Sequence, residues 1–291
     1  MVALQFISYG IIQGCIYALL GLGFALIYRT TRVFNIAQGA TYTISAYIFF
    51  TFYNMIHLPG YICLILAVVS GIIFVVITEV SIFYPLSKRE TPPSISFVAS
   101  LGIYIFMINL IALIYGNEIK ILRVGAEKTA SFGGIILSRI QMAQIITFLI
   151  VLPLFFIYIK KSKNGIDIRA LIDNPKLCQI LGINVKKVRI IACSIGSVLI
   201  CISSSLVALD IGIDPQTGID AIMNGAVAMI IGGSASFIGT AIGGLLLGII
   251  QSLAVYQISS KWQSAITFAL LIIFLVFRPE GIFGGKRRVE E

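Results

Sequence analysis

The residues of this chain that could do chemistry are few, and they are the wrong kind for catalysis. There is one histidine, His57, and there are five cysteines. Cys15, Cys63, Cys193 and Cys201 lie in apolar segments and Cys178 in a basic one, with no C-x-x-C pair. That pattern speaks against a zinc site or a disulfide framework and leaves cysteine as a small apolar residue. No Gly-x-x-x-x-Gly-Lys-Ser/Thr occurs, so the chain has no phosphate loop with which to hydrolyse ATP. With no cluster of paired carboxylates, neither an enzyme nor a metal or cofactor is expected. What remains are uncharged hydrogen-bonding side chains in apolar surroundings. Asn35, Gln38, Tyr42 and Ser45 recur at i, i+3, i+7 and i+10, which puts them on one face of a helix. Asn109 and Asn224 stand alone in other apolar segments. Such groups either join helices or line a polar path, and their types alone fit both. Glu79 is expected at an interface beside Lys88 and Arg89, rather than in a proton relay.

A second constellation lies in the polar stretch 160–189. Asn174-Pro175 has the form of an N-cap followed by proline at the first helical position. Gly182 can close the same short helix in the left-handed conformation. Leu177, Ile180 and Leu181 would form an apolar ridge along it. About two turns of helix are not stable alone and need a surface to pack on. That surface could be the protein's own spans, lipid headgroups or a partner protein.

Membrane-spanning helices must position these groups. Hydrophobic residues make up 58% of the 291 and charged residues only 11%, well below the quarter or so of a soluble domain. Apolar runs of about 20 residues recur, long enough to cross as helices and without the alternation of barrel strands. The fold class is therefore all-α, one polytopic transmembrane bundle over 1–291 with about eight to ten spans. The spans are read at 6–28, 33–53, 61–84, 94–115, 139–159, 188–209, 236–256 and 262–277. A short apolar stretch, 221–231, ends at Gly232-Gly233-Ser234 and reads as a short or broken helix. The first apolar run lacks a basic leader and a small-residue cleavage site, so it is expected to be a retained span.

The net charge of +9 belongs to the loops. No aromatic–basic interleaving suggests a nucleic-acid surface. With alternating crossings, one side collects Arg29, Arg32, Lys88, Arg89, the eight basic residues of 160–189, Arg278, Lys286, Arg287 and Arg288. The other side holds Lys120, Arg123, Lys128, Arg139 and Lys261, together with the acidic turn segment around Asp210, Asp214 and Asp220. The positive-inside rule puts the first set in the cytoplasm, with the N-terminus outside and the C-terminus inside. Gly10-x-x-x-Gly14, Gly239-x-x-x-Gly243 and Gly244-x-x-x-Gly248 are patterns for close helix packing.

Four blocks carry a family resemblance: GIIQGCIYALLGLGFALIYRTTRVFNIAQGA, LGINVKKVR, IIGGSASFIGTAIGGLLLGIIQSL and FRPEGIFG. In order and spacing they resemble LivH-type permeases of branched-chain amino acid ABC transporters, over most of the chain. The resemblance implies a bacterial inner-membrane subunit without catalytic machinery. Its implied partners are two cytoplasmic ATP-binding subunits, a homologous second permease (a heterodimer) and a periplasmic solute-binding protein. It implies that 175–181 is the coupling helix docking on an ATPase, flanked by Arg169, Asp173 and Asn174. The family usually has Asn-Phe-Ala-His-Gly where this chain has Asn35-Ile36-Ala37-Gln38-Gly39; glutamine keeps hydrogen bonding but does not titrate near neutrality. Urea or short amides are the alternative substrates. A stand-alone secondary transporter or channel is the alternative class, and it would more often keep an ionisable residue at midplane.

Overall fold

The apolar segments fold as helices, and the interruptions fall where proline, glycine or a polar turn ends the hydrophobic run. The computed structural model describes residues 2–89, 91–122, 129–132, 135–278 and 280–284. Arg123 and Lys128, Pro279 of the FRPEGIFG block, and Lys286, Arg287 and Arg288 lie outside the described residues.

Helix α1 (Val2–Thr31) is followed by α2 (Ala37–Phe50), which continues through a π turn (Thr51–Met55). Helix α3 (Gly60–Thr78) runs through a second π turn (Glu79–Phe83) into α4 (Tyr84–Lys88). Pro85 has no N–H for the carbonyl four residues back, and the second π turn lies just before it. Then come α5 (Pro93–Tyr115), a two-stranded hairpin of β1 (Thr129–Phe132) and β2 (Ile135–Ser138), and α6 (Arg139–Lys161). The polar stretch folds as α7 (Lys163–Asp173) and α8 (Pro175–Ile180). Helices α9 (Val185–Ile211), α10 (Thr217–Gly232), α11 (Phe237–Gln257) and α12 (Gln263–Phe277) complete the chain.

Among the described residues six helices are long and apolar enough to cross a membrane: Gln5–Thr31, Gly60–Lys88, Pro93–Tyr115, Arg139–Lys161, Val185–Ile211 and Phe237–Gln257. Helices α10 and α12 are apolar but shorter. The chain is an all-α polytopic membrane protein. Its small antiparallel hairpin, in the connection before α6, was not visible as a strand pattern. Gln5 pins it with a pair of hydrogen bonds, Nε2 donating to the Ile136 carbonyl at 2.7 Å and Oε1 accepting from its N–H at 3.0 Å.

The chain forms two compact units. The first comprises residues 1–25, 126–148 and 220–291. In it the glycine motifs of α1 and α11 meet backbone to backbone: a Cβ on Gly14 would lie 2.8 Å from the Cα of Leu245, and one on Gly248 would strike Gly14. Gly243 fits in the same way against α10. Gly233, at φ +102°, turns the chain between α10 and α11. The C-terminal segment returns to this turn, with the N–H groups of Ile282 and Phe283 donating to the carbonyls of Ile231 and Gly232 at 2.9 and 3.1 Å. Residue 232 and residues 282–283 therefore lie at one end of this unit, as alternating crossings require.

The second unit comprises residues 26–125 and 149–219. Here α2 packs among α3, α5 and α9. It runs parallel to α5: the Ile36 N–H donates to Ser100 near the start of α5, and Thr51 bonds Tyr115 at its end. Loops that alternation assigns to one side are joined. Arg32 reaches the Ile172 carbonyl at 2.7 Å, and Lys120 bridges Ile213 through both backbone bonds. Helix α10 starts earlier than its apolar residues suggest, because the Asp214 carboxylate accepts from the N–H groups of Gln216 and Thr217 at 2.7 and 2.8 Å.

Candidate functional site

The polar stretch 160–189 carries two helices where one was expected. Ser162 caps α7, its Oγ accepting from the Gly165 N–H at 2.9 Å. Ile168, Leu171 and Ile172, at i, i+3 and i+4, are buried and hold α7 against its own unit. Asn174 ends one helix and starts the next. Its N–H donates to the Ala170 carbonyl at 3.0 Å, and its Oδ1 accepts from the Leu177 N–H at 3.0 Å. Pro175 follows in the first turn of α8. At the other end Gly182 is left-handed, at φ +75°. The Gly182 N–H donates to the Gln179 carbonyl at 3.2 Å and the Ile183 N–H to the Cys178 carbonyl at 2.9 Å, the paired bonds of a Schellman ending.

This short helix rests on Cys178, which is 2% exposed. Burial, then the charges of Asp167 and Asp173, push its thiol above the usual range. The ridge points the other way: Leu177, Ile180 and Leu181 are 50%, 81% and 68% exposed. Its packing surface is thus the chain itself through Cys178, while the apolar ridge is left uncovered. Asp173 is exposed, as is Arg169, whose guanidinium donates to the Lys160 carbonyl at 3.3 Å. Both flank α8. Between α7 and α9 a cavity of about 280 Å³ opens beside Gly182, lined in part by Asp167 and Lys187.

The four polar residues of the α2 segment share one buried face but not one role. The Asn35 Oδ1 accepts from the Ala37 N–H at 3.0 Å and so starts the helix. Ser45 donates to the Cys201 carbonyl at 3.5 Å, and Ser204 donates to the Tyr42 carbonyl at 2.6 Å, joining α2 to α9. Gln38 differs. It is 2% exposed and its Oε1 has no hydrogen-bond partner among the described residues. Gly39 beside it lets α2 approach the first turn of α10, since a Cβ there would lie 3.1 Å from the Gly218 carbonyl. Asn109 does not join this group. It is exposed on α5 and its amide turns back to the Ile105 carbonyl at 2.7 Å.

Asn224 belongs to a polar cluster of the first unit. Its Oδ1 accepts from Gln251 at 3.0 Å and from Thr267 at 3.2 Å. Gln251 also donates to Thr267, and Gln263 donates to the Tyr17 hydroxyl and the Gln251 side-chain Oε1, each at 3.2 Å. Tyr17, Gln251, Gln263 and Thr267 were missed in the sequence; two glutamines in apolar segments were the available signal.

Glu79 is not interfacial. It is 2% exposed, and its carboxylate accepts from the Arg189 Nε at 2.8 Å, forming a buried ion pair. Arg189, counted above among the basic loop charges, is likewise buried.

Residues 6–275 match the family model for the branched-chain amino acid transport system permease component. The high-affinity branched-chain amino acid transport system permease protein LivH of Salmonella typhimurium is 29% identical over 97% of this chain and 95% of its own. BraD of Pseudomonas aeruginosa, named likewise, is 27% identical over 97% and 95%. A probable LivH of Methanocaldococcus jannaschii is 31% identical over 94% and 90%. Among solved structures, PsaBC from Streptococcus pneumoniae in complex with Fab superposes with a TM-score of 0.55 at 11% identity, covering 96% of this chain and 93% of that one, a likeness of fold alone. With a family model spanning most of its length and relatives matched almost end to end, the chain belongs to the branched-chain amino acid transport system permease component family.

Proposed function

We propose that this chain is the permease subunit of an ABC importer for branched-chain amino acids, leucine, isoleucine and valine. The observation that carries the reading is α8: a helix capped at both ends, seated through Cys178, and presenting Leu177, Ile180 and Leu181 outward. A helix already seated on its own chain that still leaves its apolar ridge uncovered has that ridge to offer a partner, and a groove on a cytoplasmic ATPase fits its size and polarity. The names of the relatives support the substrate class. The chain works without an active site of its own, in the inner membrane, with its N-terminus outside and its C-terminus inside.

Two ATP-binding subunits, a homologous second permease and a periplasmic solute-binding protein complete the importer. ATP binding closes the ATPases against α8, and the push moves this unit so that the pathway opens outward; hydrolysis releases it. Within the pathway Gln38 is the residue with an acceptor to spare for the substrate ammonium, whereas Tyr42 and Ser45 hold α2 on α9. Asn35 positions the helix that presents Gln38.

The test is reconstitution of the chain alone and with its ATPases, second permease and binding protein, following labelled leucine with urea as competitor. Uptake that needs ATP and the binding protein and ignores urea is expected. Uptake by the isolated chain, indifferent to ATP, would overturn the reading.

A further inference from the structure

The buried pair of Glu79 and Arg189 has no part in the function proposed so far, and its place in the chain is specific. Arg189 lies in the second turn of α9, the helix that α8 leads into through Gly182 and Asn184. Asn184 caps α9, its Oδ1 accepting from the Lys187 N–H at 3.1 Å, so α8 and the start of α9 form one short, capped corner. Glu79 opens the π turn in the long α3–α4 helix. The two residues are 110 apart in sequence and meet at 2.8 Å. The same guanidinium donates through Nη1 to Ser87 of α4 at 2.7 Å, and Lys186 sits 5.3 Å over the ring of Tyr84. Three contacts therefore fasten the first turns of α9 to the π turn and α4.

An ion pair is a costly way to hold two helices together. Packed apolar side chains of similar volume do so at equal or lower free energy, because they spare the desolvation of two charges. A fork of guanidinium bonds adds what apolar packing lacks, a fixed angle and register between the elements it joins. The fork here is not saturated, since the buried Nη2 has no partner among the described residues. Single π turns inside α-helices also recur at functional sites.

The geometry points to Arg189 and Glu79 as the positioning pair that makes α3–α4 move with the coupling corner. A push on α8 turns the start of α9, and the Arg189–Glu79 bond carries that turn into the π turn. From there it passes up α3, which packs on both α2 and α9. Without the pair, α8 and α9 can move while α3–α4 stays behind, and ATP is spent without opening the pathway. The inference rests on the importer reading above.

The experiment measures labelled leucine taken up per ATP hydrolysed by the complete importer in proteoliposomes. The variants are Glu79→Gln, Arg189→Gln, Arg189→Lys and the exchanged pair Glu79→Arg with Arg189→Glu, with co-purification of the ATPases and a melting curve in detergent for each. Both neutral variants should keep the ATPases bound and hydrolysing while uptake per ATP falls about tenfold, within the roughly 5- to 150-fold span of coupling between linked sites. Arg189→Lys keeps the charge but loses the fork and should fall between. The exchanged pair should recover part of the ratio. Two results would overturn the proposal: an unchanged ratio in both neutral variants, or loss of assembly and stability in all four, which would make the pair structural only. Failure of the importer reading has its own signature, a wild-type complex that shows no ATP-dependent uptake at all.

Discussion

Leu177 and Cys178 are adjacent in sequence and opposite in environment, the first half exposed and the second 2% exposed. One residue of α8 thus anchors the helix while its neighbour stays exposed. This division of labour allows docking and folding to be perturbed separately.

Leu177→Asp and Ile180→Asp should abolish co-purification of the ATPases. Both sites are exposed, so insertion and melting temperature should hardly move, within about 0.5 kcal/mol. Pull-down from solubilised membranes with a tagged chain measures the first effect. Retention of the ATPases by the double variant would refute the docking ridge.

Cys178 should resist alkylation. Burial, and then Asp167 and Asp173, raise its pKa, so less thiolate is present at any pH below the folded value. Its maleimide labelling should be slower than that of a free peptide thiol at neutral pH, and should still be climbing with pH above about 8.5, where the free thiol levels off. Peptide-resolved mass spectrometry over a pH series reads this. Labelling at the free-thiol rate would mean that α8 detaches from its own chain.

Gln38 and Ser204 should separate pathway from packing. Gln38→Met removes a buried acceptor that has no partner among the described residues, so stability should hold or rise, while uptake falls. Ser204→Ala removes the bond to the Tyr42 carbonyl and should cost about 1 kcal/mol with uptake per folded protein unchanged. If Gln38→Met melted earlier and carried substrate normally, Gln38 would be structural.

Gln251→Leu should destabilise the chain by about 1–3 kcal/mol, because Gln263 and Thr267 lose partners in an apolar setting. Thermal melting in detergent would show it. A normal melting curve combined with an altered half-saturating leucine concentration would move this cluster from packing to the pathway.

Local interactions were legible before the structure. The caps at Asn174, Pro175 and Gly182 are set by residues within a turn of one another, and the structure places each in that role. The glycine spacings on α1 and α11 were also readable, although their being each other's partners was not. Helix α7 was missed. Its Ile168, Leu171 and Ile172 carry a helical period, but a loop dense with charge hid a stripe of three residues.

By itself the sequence determined that apolar runs become membrane helices and that a capped helix stands in the basic loop, and its charge gave an expectation of which loops share a side. These follow from hydrophobic length, backbone capping and charge, all of which act between chain neighbours or between a segment and its solvent. Only the tertiary structure decided which polar groups spend their hydrogen bonds on one another. Glu79 finds Arg189 across 110 residues, Asn224 joins Gln251, and the Gln38 Oε1 is left without a partner among the described residues. The side-chain types are the same in every case, and hydrogen bonding is satisfied by whatever the packed helices bring within about 3 Å. That choice of partners left the apolar ridge of the proposed coupling helix exposed and set a paired arginine in the second turn of the helix that follows it.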